Sequence, residues 1–317
     1  MDVKYPPEGA RMCEICLNAT DNPLVQFREY EGRFLCLECV NVVASPIDHS
    51  ALMREWEHVM DTLRGARGYD FLLAYSGGAD STAALKLLVD KYKLKVLAFT
   101  IDNGMKHDPV WQNALAVTRH LGVDWLYVND VKRAVGVIIE GFRSSDIGSC
   151  SMCNKGWRFP NYKRLMKEYE ASCILTGLEI PHGGSIIGQK SKWLIKMMAA
   201  HMMPKKEVFE YISDLPWKNP GIVQGFDTDC LGGGFGLELY RQKHARHAPI
   251  VISFLSERVR LGLMDREEEM EKLNHAVPEE HWAFLSERFG PIREEVLGSH
   301  DAPPVYQLST RRGGEMK

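Results

Sequence analysis

Cys13-x-x-Cys16 and Cys36-x-x-Cys39 are two cysteine pairs separated by 19 residues. A C-x-x-C turn lets two thiolates converge on one metal ion. Two such turns supply a closed tetrahedral four-sulfur site. The spacing is that of a zinc ribbon, with iron as the alternative metal. A closed site keeps no open position, so its expected role is structural. A module of 45 residues is too small for a good core of its own. Zinc would contribute about 10 kcal/mol or more to its folding.

A second set of cysteines is spaced for different chemistry. Cys150-Ser151-Met152-Cys153 and the distant Cys230 offer three thiolates. Three ligands leave a fourth position open. For zinc that is a catalytic arrangement. For a [4Fe–4S] cluster it leaves one iron free for an exogenous ligand such as sulfide. A redox pair passing through a persulfide and then a disulfide is a further reading, as are a second structural zinc and plain thiols. Cys173, inside a strand-like run, reads as a buried thiol.

The third chemical feature is Ser76-Gly77-Gly78-Ala79-Asp80-Ser81, which follows an apolar run at residues 71–75 and opens a helical pattern. Glycine lets the backbone approach a phosphate closely. A helix N-terminus adds unpaired N–H groups and partial positive charge. Ser76 and Ser81 add hydroxyls. Asp80 would repel a phosphate unless a cation lies between them, which suggests Mg²⁺. The GxxxxGK[ST] pattern of P-loop kinases is a different one.

These residues need a scaffold. Strand-like runs at 71–75, 95–101, 124–128 and 172–176 alternate with helical patterns at 80–92, 109–121, 131–142 and 161–169. That alternation predicts an α/β fold with a doubly wound parallel sheet. Asp102 ends the second strand, and Thr176-Gly177 ends the fourth, so both fall at the ligand-binding edge of such a sheet. Residues 46–68 read as a linker helix, with Leu52, Trp56, Val59, Met60 and Leu63 on one face. Residues 249–261, 266–273 and 281–289 read as helices, with Asp265 as an N-cap. The expected organisation is a zinc-ribbon module at 1–45, the linker helix at 46–68, the sheet domain at 69–225 and a helical C-terminal region at 226–317, frayed from Gly298.

Composition narrows the class. The chain has 317 residues, 45% hydrophobic and 26% charged, with 39 Lys plus Arg against 42 Asp plus Glu. The net charge of −3 excludes a uniformly basic nucleic-acid binder. There is no apolar run of 18 residues to span a membrane and no apolar leader segment, so a reducing cytoplasm is expected. Two basic stretches could meet phosphates or be solvated faces. One holds Lys190, Lys192, Lys196, Lys205 and Lys206 with His182 and His201; the other holds Arg241, Lys243, His244, Arg246 and His247. Met197, Met198, Met202 and Met203 read as packing.

The loop resembles the SGGxDS signature of the PP-loop, or N-type ATP pyrophosphatase, superfamily of adenine nucleotide alpha hydrolase-like folds. That resemblance implies ATP and Mg²⁺ at Ser76, Gly77, Gly78, Asp80 and Ser81, with Asp102 and Gly177 beside the nucleotide. It implies adenylation of a carbonyl oxygen, release of pyrophosphate, and displacement of AMP by nitrogen or sulfur. With its N-terminal cysteine module and three later cysteines, the chain is similar to iron–sulfur-dependent enzymes that thiolate tRNA bases. Those hold a [4Fe–4S] cluster on the residues matching Cys150, Cys153 and Cys230. Asn154-Lys155-Gly156-Trp157-Arg158 stands where they carry paired arginines, and LEIPHGG where they carry Gly-His-Asn-Asp-Asp. The segment SERVRLGLMDREEEMEKL is similar to the tail of PP-loop enzymes that amidate N-acetyl sugars with ammonia from a partner glutaminase.

The expectation is therefore an ATP-dependent sulfurtransferase with Asp80, Cys150, Cys153 and Cys230 as catalytic residues and Zn²⁺ on Cys13, Cys16, Cys36 and Cys39. Its acceptor is a nucleobase in tRNA or a small molecule, its sulfur comes from sulfide or a carrier, and a homodimer is compatible with it. Amidation with a partner glutaminase is the alternative.

Overall fold

The computed structural model describes residues 4–106, 108–144, 150, 152–181, 183–220, 222–223, 226–227, 230–275, 277–291, 293–294 and 298. His182 and the tail beyond 298 lie outside the described residues.

The chain opens with a hairpin, β1 (Phe27–Tyr30) and β2 (Arg33–Cys36), and runs straight into α1 (Leu37–Ala44). Cys36 ends β2 and Cys39 lies in the first turn of α1, so the second C-x-x-C sits on a strand–helix junction. Helix α2 (His49–Thr62) is the expected linker. Asp48 caps it by accepting from Ala51 N, and it buries Leu52, Trp56 and Val59.

Five parallel strands form the centre. They are β3 (Phe71–Ala74), β4 (Val96–Asp102), β5 (Asp124–Asn129), β6 (Ile174–Thr176) and β7 (Leu194–Lys196), ordered β5-β4-β3-β6-β7. Every residue of β4 is buried, as a strand covered on both faces requires. Side chains alternate between two layers. Phe71, Leu73, Val96, Ala98 and Leu175 enter one core, and Leu72, Leu97, Phe99, Ile101 and Ile174 enter the other. α3 (Ala79–Lys86), which continues through a π-helical turn at Leu87–Lys91, and α4 (Asp108–Leu121) pack on the first face together with α2. α5 (Val131–Ser144), a π-helical turn at Cys153–Arg158 and α6 (Phe159–Glu168) pack on the second. The sheet is thus doubly wound, as the alternating pattern predicts.

The strand order reverses at β3. β4 and β5 build outward on one side, and β6 and β7 on the other. The crevice between the carboxyl ends of β3 and β6 is the topological switch point, where such sheets bind ligands. Beyond β7 come α7 (Met197–His201), α8 (Lys205–Tyr211) and the short pair β8 (Ile222–Val223) and β9 (Phe226–Asp227). The helices α9 (Leu231–His244), α10 (Pro249–Arg260), α11 (Arg266–Leu273) and α12 (Glu279–Phe289) follow. Asp265 caps α11 by accepting from Glu268 N, as expected. The pattern missed the hairpin, β7 and α9. β7 ends in a lysine inside a basic stretch, which hides it, and α9 opens on Gly232-Gly233-Gly234, which lowers its helix propensity.

The two ends of the chain share one core. Cys13, Cys16, Leu17, Leu35, Cys36, Cys39 and Val40 pack against Ile252, Leu255, Val259, Met264 and Leu273. Asn22 Nδ2 donates to Pro249 O at 3.1 Å, and Arg266 Nη2 to Cys13 O at 3.2 Å. Residues 1–45 and the C-terminal helices, at opposite ends of the sequence, therefore pack against each other. The physical reason is the size of the module, which lacks the apolar surface to close a core alone.

Candidate nucleotide and metal sites

The loop after β3 lies at the switch point. Gly77 has φ +87°, and a Cβ there would lie 2.6 Å from Val110 O, so only glycine fits. Gly78 caps α3 without a side-chain bond, so the helix presents its N-terminal N–H groups to the crevice. Ser76 Oγ and Ser81 Oγ lie 2.8 Å apart, and Ser81 Oγ donates to Gly78 O at 3.0 Å. The turn is therefore preorganised. Trp217 Nε1 donates to Gly77 O at 3.0 Å, and Lys106 Nζ to Ser76 O at 3.2 Å.

Thr176-Gly177 ends β6 beside this loop. A Cβ at Gly177 would lie 2.6 Å from Ser81 N and 2.7 Å from Ser81 Cα. The glycine lets the two loops touch backbone to backbone. Asp102 lies at the carboxyl end of β4, where its Oδ1 accepts from Gly104 N and its Oδ2 from Tyr127 OH, each at 2.8 Å. It closes the Asp-Asn-Gly turn.

Asp80 is paired. Lys205 Nζ lies 2.8 Å from Asp80 Oδ2, with both side chains largely buried. This lysine supplies the cation that the sequence argument assigned to Mg²⁺, so the carboxylate does not by itself require the metal. Beside it, Arg258 forms a buried ion pair with Glu179, Nε to Oε1 at 2.8 Å. Burial, and then the nearby Asp80 charge, push the Glu179 carboxyl above its usual range, against the pull of Arg258 and Lys205. Lys205 belongs to the first basic stretch of the sequence, and Glu179 lies upstream of that stretch with no local signal of its own. Nothing local marks Arg258 as its partner.

Seven of the cysteines fall into two groups. Cys13, Cys16, Cys36 and Cys39 are buried, with their sulfurs within 4.8 Å of one another. Cys36 N donates to Cys13 Sγ at 3.4 Å. Sulfurs so crowded cannot all ionise unaided. Hydrogen bonds from Cys16, Cys36 and Cys39 pull the Cys13 thiol far down, while donation to Cys13, Cys16 and Cys36 holds Cys39 up. Arg260 sits against the group. Burial works to lower its pKa, but the Cys16 and Cys39 sulfurs hold the guanidinium above its usual range. Its Nε is buried with no hydrogen-bond partner. A half-buried arginine beside four convergent sulfurs fits a thiolate-bound metal carrying net negative charge, and the group is compatible with a zinc or an iron–sulfur centre.

Cys150, Cys153 and Cys230 gather around Asn103 and the first turn of α9. Asn103 Nδ2 donates to Cys230 Sγ at 3.2 Å. Burial first, then the Cys230 and Cys150 sulfurs, push the Cys153 thiol up to about 12, against the Arg158 charge and a hydrogen bond from Asn103. A Cβ built on Gly232 would lie 3.7 Å from Cys230 Sγ, and one on Gly233 would lie 3.8 Å from Cys150 Sγ. Among the described residues, only the N-terminal four meet the spacing of ligands around a single ion. An iron–sulfur cluster spreads its cysteines over different irons, so wider spacing suits it. Cys173 is buried, and burial alone pushes its thiol up to about 12. Asn103 was missed because it reads locally as the middle of a turn.

The basic stretches are largely structural. Lys196 is buried and donates to Ile180 O at 2.6 Å, and burial brings its pKa down to about 8. Arg241 is buried and pairs with Glu238 at 2.8 Å. His247 packs edge-on against Tyr5, with centroids 5.4 Å apart. Met197, Met198 and Met202 are core residues. No helix of the described residues is long and apolar enough to cross a membrane.

A parallel sheet carrying this loop at its switch point fits the PP-loop ATP pyrophosphatase superfamily. The chain belongs to the family of the uncharacterized protein MJ1599 of Methanocaldococcus jannaschii. It is 30% identical to that protein over 280 residues, which are 87% of this chain and 98% of the relative. Shorter stretches are similar to argininosuccinate synthases, a PP-loop enzyme class. The match is 41% over 63 residues with the Pelobacter propionicus enzyme and 44% over 64 with that of Dehalococcoides mccartyi. These stretches cover 19% and 20% of this chain, but only 14% and 15% of the synthases. No family model matches the chain.

Proposed function

We propose that this protein is a PP-loop ATP pyrophosphatase that adenylates a carbonyl oxygen of a nucleobase-like acceptor and replaces that oxygen with sulfur. The observation that carries the reading is one loop at the carboxyl edge of the sheet. Residues 102–106 contact the Ser76 carbonyl through Lys106 and the Cys230 thiol through Asn103. One loop thus contacts both the nucleotide loop and one of the three cysteines, which supports a shared site.

In this reading the N–H groups at the start of α3, with Ser76, Gly77, Gly78 and Ser81, bind the triphosphate. Asp80 holds Lys205 and any Mg²⁺ that accompanies ATP. Asp102 and Gly177 border the nucleoside. The acceptor oxygen attacks the α-phosphorus, and pyrophosphate leaves with the bonding electron pair. The adenylate makes AMP the leaving group in place of hydroxide. A [4Fe–4S] cluster on Cys150, Cys153 and Cys230 would supply an open iron for anionic sulfur. Asn103 orients the Cys230 sulfur by donating to it.

Of the lysines between residues 180 and 206, Lys190, Lys192 and Lys206 are exposed while Lys196 and Lys205 are buried. So small a basic face favours a small acceptor over a tRNA.

The test is an anaerobic assay of pyrophosphate release, with iron, zinc and acid-labile sulfide counts, on wild type and Cys150→Ala. Sulfide-dependent release, with iron and sulfide lost in the variant and zinc retained, supports the reading. Retained thiolation by Cys150→Ala overturns it. Release that depends on ammonia instead moves the assignment to amidation.

A further inference from the structure

Helix α10 touches both the four-cysteine centre and the nucleotide crevice. Leu255 and Val259 pack in the core of the cysteine module, and just beyond the helix Leu263 packs in the core of the sheet. Arg260 lies against Cys16 and Cys39, while Arg258 pairs with Glu179 at 2.8 Å. Leu263 O accepts from Lys205 N at 2.9 Å, and Lys205 holds Asp80. Two residues apart on α10, Arg260 thus lies against the cysteine sulfurs and Arg258 holds Glu179, which lies in the field of the Lys205–Asp80 pair.

We propose that Arg258 and Arg260 are positioning residues that couple the four-cysteine metal centre to the nucleotide loop. Arg260 neutralises the thiolates and sets the rotation of α10. That rotation aims Arg258 at Glu179. With Arg258 in place, the Glu179 carboxylate is compensated and Lys205 stays on Asp80. If α10 turns away, a buried carboxylate is left uncompensated beside Asp80, and Lys205 is drawn toward it. The nucleotide loop then loses its preorganised cation. The N-terminal metal, whose nearest ligand Cys39 precedes Ser76 by 37 residues, would so act as a brace for ATP binding. The ATP part of the inference rests on the nucleotide reading of the loop; the coupling itself does not.

The experiment uses the metal-loaded full chain. Arg260→Met, Arg260→Lys, the double variant Glu179→Gln/Arg258→Met, and their combination with Arg260→Met are compared with wild type. The double variant removes both charges of the pair, so no uncompensated charge is buried. Metal content, hydrogen exchange at residues 76–82, and ATP and AMP affinities are measured. Arg260→Met is expected to raise exchange at residues 76–82 and to weaken ATP about tenfold, one charge-assisted contact's worth. AMP, which lacks the outer phosphates, should change little. Arg260→Lys should restore both readouts. In the double-variant background, Arg260→Met should add nothing, the signature of one shared path. Unchanged exchange at 76–82 in Arg260→Met overturns the coupling, whether or not the metal is kept. Simple additivity overturns it too. If wild type binds no ATP while exchange still responds, the nucleotide reading falls and the coupling stands.

Discussion

Asn103 Nδ2 lies 3.2 Å from Cys230 Sγ, and further along the same loop Lys106 Nζ lies 3.2 Å from Ser76 O. One turn after β4 thus borders both the thiols and the nucleotide loop. A donor to a ligating sulfur typically contributes ten- to a hundredfold to metal retention. With a cluster on Cys230 as proposed, Asn103→Ala should lose iron to a chelator about tenfold faster than wild type, while metal on the N-terminal cysteines is unaffected. Equal rates of loss would show that Asn103 serves only its turn.

Gly77 and Gly177 are the places where a methyl group should do most harm. Gly77→Ala meets a left-handed φ and Val110 O, and Gly177→Ala meets the Ser81 backbone. Each should cost about 1–3 kcal/mol in urea melts and abolish measurable ATP binding. A stable Gly177→Ala that binds ATP normally would show that β6 and α3 can separate at no cost.

Removing the N-terminal metal should loosen both ends of the chain. Cys13, Cys16, Cys36 and Cys39 share their core with Ile252, Leu255 and Val259. Limited proteolysis after chelation should cut within residues 4–45 and near α10 at comparable rates. Cleavage confined to the N-terminal segment would mean that the helices hold without the module.

His201 should make the protein acid-sensitive. Burial first, then the Lys91 charge, lower its pKa from 6.5 to about 4. Between these values the unfolded chain binds more protons than the folded one, so stability rises with pH across the window. It is fully present above about 6.5 and lost as pH falls toward 4, by about 3 kcal/mol. Urea melts at several pH values should show wild type losing this increment relative to His201→Gln. Parallel curves would overturn the assignment.

Much of the architecture was legible because it rests on local period. The runs at 71–75 and 95–101 became β3 and β4 within about a residue. The helix at 266–273 matched its cap and both ends. β7 and the first hairpin were not legible, since each lacks the continuous apolar run that marks the equally short β3 and β6: charged residues interrupt the hairpin, and β7 is bounded by Lys192 and Lys196. The candidate sites followed the same division. The N-terminal C-x-x-C pairs and the glycine loop are specified by spacing along the chain. Asn103, Glu179, Arg258 and Arg260 have no such signal, because each works with a residue distant in sequence.

By itself the sequence determined which groups could bind: four cysteines in two knuckles, three more with an open position, and a glycine turn between strand and helix. Those depend on covalent spacing, which folding cannot alter. Only the tertiary structure decided what each group meets. It gave Asp80 a lysine partner, closed the Asp102 carboxylate into a turn, and buried Arg241 and Lys196. It also laid α10 between the cysteine module and the sheet. A helix's period states which face is buried but not against what. Charge compensation in a low-dielectric interior then selects partners across the whole chain.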